Sequence, residues 1–207
     1  MHPLISKYFA DLTPRQCQQI DDLEALYRDW NEQINVISRK DIDHLYEHHV
    51  LHSMAIAKVI RFRAGSQILD FGTGGGFPGI PLAILFPDCQ FKLIDGTGKK
   101  IRVAQEVCNA IGLENCHPTH LRGEDEKGLY DFVVSRAVMP LPDLAKIVRK
   151  NISKHQQNAL PNGILCLKGG DLQAEIQPFK KIVQTTEISS FFDEEWFKEK
   201  HVIYLPH

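Results

Sequence analysis

No apolar run in this chain approaches the roughly 20 residues that a membrane-spanning helix needs. Met1-His2-Pro3-Leu4 has neither the charged start nor the apolar stretch of a secretory signal. Cysteine is sparse and unpatterned: Cys17, Cys89, Cys108, Cys116 and Cys166 are odd in number and never spaced C-x-x-C. That spacing excludes a zinc ribbon or a disulfide framework and points to free thiols in a reducing compartment, so the expected location is cytoplasmic. An excess of charge is missing too. A formal net charge of -2 neither demands nor forbids a polyanionic partner. Positive charge is clustered instead, at Lys99-Lys100-x-Arg102, at Lys146, Arg149, Lys150 and Lys154, and at Lys168, Lys180 and Lys181. Each cluster reads equally well as a solvated helix face.

What is present suits one catalytic domain with an extension: 207 residues, of which 43% are apolar and 24% charged. There is no internal repeat. Residues 1–65 read as a helical N-terminal extension. Thr13-Pro14-Arg15-Gln16 has a capping hydroxyl, a proline at the first helical position and a glutamine able to reach back. Ile20, Leu23, Leu26, Tyr27, Trp30 and Ile34 then recur at spacings of three and four. A second helix is expected from Asp41 towards Arg61. From residue 66 to 207 short apolar runs alternate with amphipathic segments. Strands are expected at 67–71, 90–95, 116–121, 131–135 and 164–168, with weaker ones at 182–188 and 201–205. Helices fall between them at 80–86, 99–111, 141–151 and 171–181. Such alternation implies a doubly wound, mostly parallel α/β sheet, closed by an antiparallel pair near the C-terminus.

In such a sheet, ligands bind beyond the C-terminal strand ends. The first strand ends at Asp70 and runs straight into Gly72-Thr73-Gly74-Gly75-Gly76. Two cofactors fit this turn. Read from Gly74, Gly74 to Gly79 matches the dinucleotide fingerprint G-x-G-x-x-G, and an NAD(P)-dependent oxidoreductase follows. Read from Asp70, it matches the acid-x-G-x-G-x-G form of enzymes that use S-adenosylmethionine. Two features favour the second. Asp70 places a charge where a cationic amino acid is sensed through water or the glycine backbone and pyrophosphate is repelled; Phe77-Pro78 crowds the space pyrophosphate needs at the helix end. Asp95, closing the second strand, is placed for ribose hydroxyls in either case. Arg122-Gly123-Glu124-Asp125 after the third strand offers small backbone and a carboxylate for adenine, or is a plain surface loop. Ser135-Arg136-Ala137 after the fourth strand offers an arginine for a carboxylate, for a phosphate or for a structural ion pair. Lys168-Gly169-Gly170 after the fifth strand presents the same choice.

Two absences narrow the chemistry. The place after the fourth strand lacks the Asn/Asp-Pro-Pro-aromatic sequence that serves exocyclic amines. It also lacks the cysteine that C5-pyrimidine methylation uses as nucleophile. A ring nitrogen with a free lone pair, such as guanine N7, needs neither, and catalysis is then alignment and electrostatics. On the second helix His44, His48 and His52 recur one turn apart. With no H-E-x-x-H and no acidic fourth ligand, they read as a solvated or RNA-facing stripe, and no metal is expected.

Together these motifs resemble one family over nearly the whole chain, the bacterial small-subunit ribosomal RNA methyltransferase G, or glucose-inhibited division protein B. The resemblance runs through Trp30-Asn31 with Asn35-Val36-Ile37-Ser38, His49-x-x-x-Ser53, Asp70 to Leu82, Asp95-x-x-Gly98-Lys99-Lys100, Gly112-Leu113-Glu114-Asn115, Ser135-Arg136-Ala137 and Leu167-Lys168-Gly169. It implies a Rossmann-like class I fold behind a helical cap, and S-adenosylmethionine as methyl donor. It also implies N7-methylation of one guanine in the 16S rRNA of the 30S subunit, in the loop near the decoding centre. Carried over, the cofactor contacts are Gly72, Phe77, Gly123, Glu124 and Arg136, to which Asp70, Gly74 and Asp95 are added from the reading above. Lys99, Lys100, Arg136 and Lys168 match the basic rim for RNA, with Arg136 and Lys168 positioned at the target base. A monomer is expected; an RNA-binding assembly factor without catalysis is the alternative within this resemblance. The chain departs from the family pattern at His48 and His52, where arginine and aspartate are expected, and at Gly96, where serine is expected.

Overall fold

The computed structural model describes residues 1–207. The N-terminal cap opens with α1 (Pro3–Tyr8) and α2 (Pro14–Gln33). The start of α2 is closed from both sides: the Thr13 hydroxyl accepts from the Gln16 N–H at 3.3 Å, and the Gln16 side chain accepts from the Thr13 N–H at 2.9 Å. Ile20, Leu23 and Tyr27 on its inner face are buried. The expected second helix is not one regular helix. It runs as a 3-10 turn (Ile42–His44), a π-wound stretch (Leu45–Leu51), α3 (His52–Met54) and α4 (Ile56–Val59). The wider π winding leaves His48 and His49 both on the carboxylate of Asp41.

Seven strands follow: β1 (Gln67–Phe71), β2 (Gln90–Asp95), β3 (Cys116–His120), β4 (Phe132–Arg136), β5 (Gly163–Gly169), β6 (Gln184–Glu187) and β7 (Lys200–Pro206). Between them lie α5 (Gly79–Leu85), α6 (Gly98–Ala110), α7 (Leu141–Val148) and α8 (Gln173–Ile176). The strand order is β3-β2-β1-β4-β5-β7-β6. All neighbours are parallel except β7, which runs antiparallel to both β5 and β6. β1 has β2 on one side and β4 on the other, so the connections diverge at its C-terminal end. Asp70 and the glycines stand at that point.

Alternation along the strands fills two cores. Ile68 belongs to a cluster of 39 buried residues that also takes Ile20, Leu23 and Tyr27 from the cap with Ile80, Phe91, Phe132 and Tyr204. Leu69, pointing the other way, belongs to a cluster of 14 with Val133, Leu144 and Ile203. Cap and sheet therefore share one core. Asn115, from the Gly112-Leu113-Glu114-Asn115 stretch, donates to the carbonyls of Ala83, Phe86 and Cys89 and holds the C-terminal end of α5 on the sheet. All five cysteines are free, and no helix is long and apolar enough to cross a membrane.

Candidate cofactor site at the end of β1

The turn after β1 is held from inside. Asp70 is fully buried, and its Oδ2 accepts from the Thr73 hydroxyl at 2.6 Å and from the Gly79 N–H at 2.7 Å. Burial pushes its carboxyl up to about 7, against the pull of those two donors. Its other oxygen has no partner. This corrects the expected role of Asp70: sealed from water, it ties the first and last residues of the turn together rather than sensing a ligand's charge through solvent.

The same contacts settle the competing register. A dinucleotide needs free N–H groups at the start of α5. There Gly79 is bound to Asp70, the Ile80 N–H donates to the Gly76 carbonyl at 2.8 Å, and Pro81 has none. Phe77 takes no part in that exclusion. Its ring is 3% exposed and turned into the cap, with the ring centres of Tyr27 and His49 at 4.8 and 5.3 Å.

The cap builds one wall of the turn. The Tyr27 hydroxyl donates to the Gly75 carbonyl at 2.7 Å. Asn31 closes the loop after α2, accepting from the N–H groups of Val36 and Ile37 at 2.9 Å and donating to the Ile37 carbonyl at 2.8 Å. Val36 is thereby laid on Gly75, where a Cβ would meet it at 2.9 Å. The motif Trp30-Asn31 with Asn35 to Ser38 thus has a physical role, closing the glycine turn from above. Sequence reasoning missed Tyr27 as a site residue, having placed it only in the apolar stripe.

On the other side, the N–H groups of Gly72 and Thr73 donate to the Ile94 carbonyl, and the Gly74 N–H donates to Asp95 Oδ2 at 2.9 Å. Asp95 Oδ1 accepts from Thr97 at 2.7 Å, so Asp95 is fixed beside the turn at the head of α6, which carries Lys99 and Lys100. Gly123 and the exposed Glu124 lie in a 3-10 turn after β3. A Cβ on Gly123 would overlap the Phe71 ring, so only glycine lets this turn close onto the end of β1. Gly72 has φ +69 and Gly74 φ +57. A Cβ on Gly72 would strike Val138, two residues beyond Arg136, at 2.5 Å, whereas Gly74 faces open space. Because β1, β2, β3 and β4 run parallel, their C-terminal ends carry Gly72, Gly74, Asp95, Gly123, Glu124 and Arg136 at the same edge of the sheet, where a crevice is expected.

Arg136 is the one cation held deep in it. Its Nη1 donates to the His48 carbonyl at 3.1 Å and its Nη2 to His49 Nδ1 at 3.0 Å. The guanidinium lies 5.1 Å from the Phe77 ring centre. All of these partners are neutral, and burial brings its pKa down to about 10. His49 in turn bonds Asp41 through Nε2. Burial, with Arg136 beside it, takes the imidazole down to about 4, so it is neutral and accepts at Nδ1. Burial pushes Asp41 up, but hydrogen bonds from His48 and His49 outweigh it and leave the carboxyl below its ordinary value.

The histidine stripe is solvated only at His44, and the other two rings are drawn in. His44 is exposed and stacks on His48 at 4.6 Å; His48 stacks on Trp196 at 4.2 Å, and His52, 6% exposed, meets the same indole edge-on at 5.0 Å. Burial holds His52 well below the ordinary histidine range. Trp196, arriving from the segment before β7, covers the two positions that depart from the family pattern, and ring packing stands there in place of a charge pair. Lys168 is likewise drawn inward. Its ammonium, 9% exposed, pairs with Glu175 at 2.6 Å and donates to the Met139 carbonyl at 2.8 Å. Glu175 also accepts from the Leu141 N–H at 2.8 Å. Lys168 thus fixes the loop between β4 and α7, with two of its three ammonium protons taken up by Glu175 and the Met139 carbonyl.

The crevice fits S-adenosylmethionine on its own chemistry. A guanidinium whose direct partners are all neutral, with the carboxyls of Asp70 and Asp41 acting on it only at longer range, keeps a positive charge that suits an anion such as the methionine carboxylate. A carboxylate stands at the end of β2, and Gly74 is open where a ligand's backbone approach requires it.

Comparison with known proteins agrees. The model of the family described as rRNA small subunit methyltransferase G matches residues 16–203. The chain is 63% identical over 202 residues to the ribosomal RNA small subunit methyltransferase G of Bacteroides fragilis, covering 98% of each chain. It is 62% identical over 201 residues to that of Bacteroides thetaiotaomicron, covering 97% of this chain and 98% of the other. Among solved structures, the fold is similar to Aeropyrum pernix fibrillarin with natively bound S-adenosylmethionine. There the TM-score is 0.56 at 12% identity, over 75% of this chain and 73% of that one.

Proposed function

The chain belongs to the rRNA small subunit methyltransferase G family, and from that premise we propose that it methylates N7 of one guanine in 16S rRNA with S-adenosylmethionine as donor. The observation that carries this reading is a family match that runs through the cap, the glycine turn and the β4 end alike. When bound, the cofactor supplies a methyl group on a positively charged sulfur; transfer to the N7 lone pair leaves a thioether and moves the charge to the base. No proton leaves N7, so no general base is required, and the work of the protein is alignment and exclusion of water.

In this reading Gly72, Gly74, Asp95, Gly123, Glu124 and Arg136 hold the cofactor. Asp70 acts at one remove by tying the turn, and Phe77 by carrying the guanidinium on its ring. Arg136 takes the carboxylate of the methionine arm. Lys99 and Lys100, at the head of α6 beside Asp95, receive RNA phosphate. Lys168 serves by holding the Met139 carbonyl and, through Glu175, the start of α7, which shapes the mouth where the guanine enters. Residues 1–65 form a cap that completes the site of the 66–207 domain.

The test is methyl transfer from labelled cofactor to 30S subunits from cells that lack this modification, with N7-methylguanine located by chemical cleavage of the 16S rRNA. One labelled guanine is expected. A folded protein that binds the cofactor but labels no guanine would overturn the proposal.

A further inference from the structure

Arg136 is a charged side chain with two fixed neutral acceptors, and each is fixed in a different way. The His48 carbonyl belongs to the backbone. His49 Nδ1, however, accepts an Arg136 proton only while the ring carries its own proton on Nε2. Asp41, bonded to that nitrogen, enforces the tautomer. Asp41 is pinned in turn by His48 Nδ1 at 2.5 Å, and His48 by its stack on Trp196. The guanidinium face is supported by Phe77. The chain Asp41–His49–Arg136 thus crosses from the cap to the end of β4, which are 87 residues apart at the His49–Arg136 bond.

We propose that His49, held in one tautomer by Asp41, is a positioning residue that aims Arg136 at the carboxylate of the methionine arm. The inference rests on the assignment of Arg136 to that carboxylate. A neutral acceptor suits this role, because it orients the guanidinium without neutralising it, as a carboxylate in the same place would. His49 touches no reacting atom in this scheme. It acts through Arg136, and its effect belongs to one part of the ligand.

Calorimetry on the full-length protein separates this role from a merely structural one, with S-adenosylhomocysteine and 5′-methylthioadenosine as probes. The second probe keeps the nucleoside and sulfur and lacks the amino-acid arm. Losing a hydrogen bond to a charged group weakens binding by about tenfold or more. His49→Ala and Arg136→Ala are each expected to weaken S-adenosylhomocysteine by about that factor and to leave methylthioadenosine within about twofold. In the Arg136→Ala background His49→Ala adds nothing further. His49→Asn, whose carbonyl oxygen takes the place of Nδ1, recovers most of the loss, and it serves as the second variant should His49→Ala fold poorly. If Arg136→Ala does not discriminate between the probes, the assignment of Arg136 fails and this inference with it. If Arg136→Ala discriminates and His49→Ala weakens both probes equally or neither, the carboxylate assignment stands and the positioning role of His49 is refuted.

Discussion

Two glycines of one turn share a backbone conformation and differ in what lies beside them, which allows the contact between the turn and the β4 loop to be measured. Gly72 (φ +69) and Gly74 (φ +57) both occupy the left-handed region. An alanine there costs about 1–2 kcal/mol in backbone energy at either site. Only at Gly72 does the new methyl group strike something: Val138 Cγ2 at 2.5 Å and Cγ1 at 3.0 Å. Moving a packed side chain aside adds about 1–3 kcal/mol. Gly72→Ala should therefore lower stability by about 2–5 kcal/mol and Gly74→Ala by about 1–2. In a chain of this size each kcal/mol shifts the melting temperature by about 2–4 °C, so urea titration and thermal melting both resolve the difference. Val138→Ala removes both Cγ atoms. Introduced into Gly72→Ala it should recover the overlap and none of the backbone strain, a coupling of about 1–3 kcal/mol, whereas in Gly74→Ala it should couple to nothing. Equal losses at the two glycines, or no coupling with Val138, would refute the claim that the glycine turn is seated on the loop that follows Arg136.

A pH experiment isolates Asp70. Its folded carboxyl is pushed up to about 7 from an ordinary value of 3.8, so the folded state holds a proton that the unfolded chain has released. Its contribution to stability is present below about pH 4 and is lost as pH rises through about 7; Asp70→Asn, which keeps acceptor and shape, should lose that slope, read as the urea midpoint of parent minus variant between pH 5 and 8. His49 slopes the other way, its contribution present above 6.5 and lost as pH falls through about 4, which is why the difference between the two proteins is the quantity to plot. Tyr27→Phe deletes only the hydroxyl that bonds the buried Gly75 carbonyl. It should cost about 1–3 kcal/mol in urea titration and weaken S-adenosylhomocysteine in calorimetry; a stability loss with unchanged affinity would show that this wall of the turn does not matter to the ligand.

Local chemistry made much of this fold legible. β1 and β2 each run from a glutamine through mostly apolar residues to an aspartate within two residues of a glycine, and the structure has them at 67–71 and 90–95. The capping box at Thr13 needs only four adjacent residues and was equally readable. What escaped depends on partners distant in sequence. That Asp70 faces inward follows from the Gly79 N–H nine residues later. The burial of His52 follows from Trp196, and the inward turn of Lys168 from Glu175. The π winding of 45–51 leaves no trace in hydrophobic spacing, because Leu45, Val50 and Leu51 serve a wide turn as well as a regular one. His49 and Asn31 did stand in the sequence as motif residues. Their roles, holding Arg136 and laying Val36 on Gly75, emerged only when the cap was seen against the sheet.

The placing of β7 between β5 and β6 bears on how the sheet comes apart. β6 bonds only to β7, through four pairs from Gln184–Tyr204 to Glu187–His201, while β7 bonds β5 through seven. Fraying can therefore begin at β6 and leave the rest of the sheet paired, but β7 cannot leave without releasing β6 as well. In hydrogen exchange the ladder amides of 184–187 can be no slower than the openings of 200–206 permit, so the two strands form a graded edge. The ends of β1 and β4 lie on the far side of β5 from that edge, and their link to it runs through Trp196, which precedes β7 and stacks on His48.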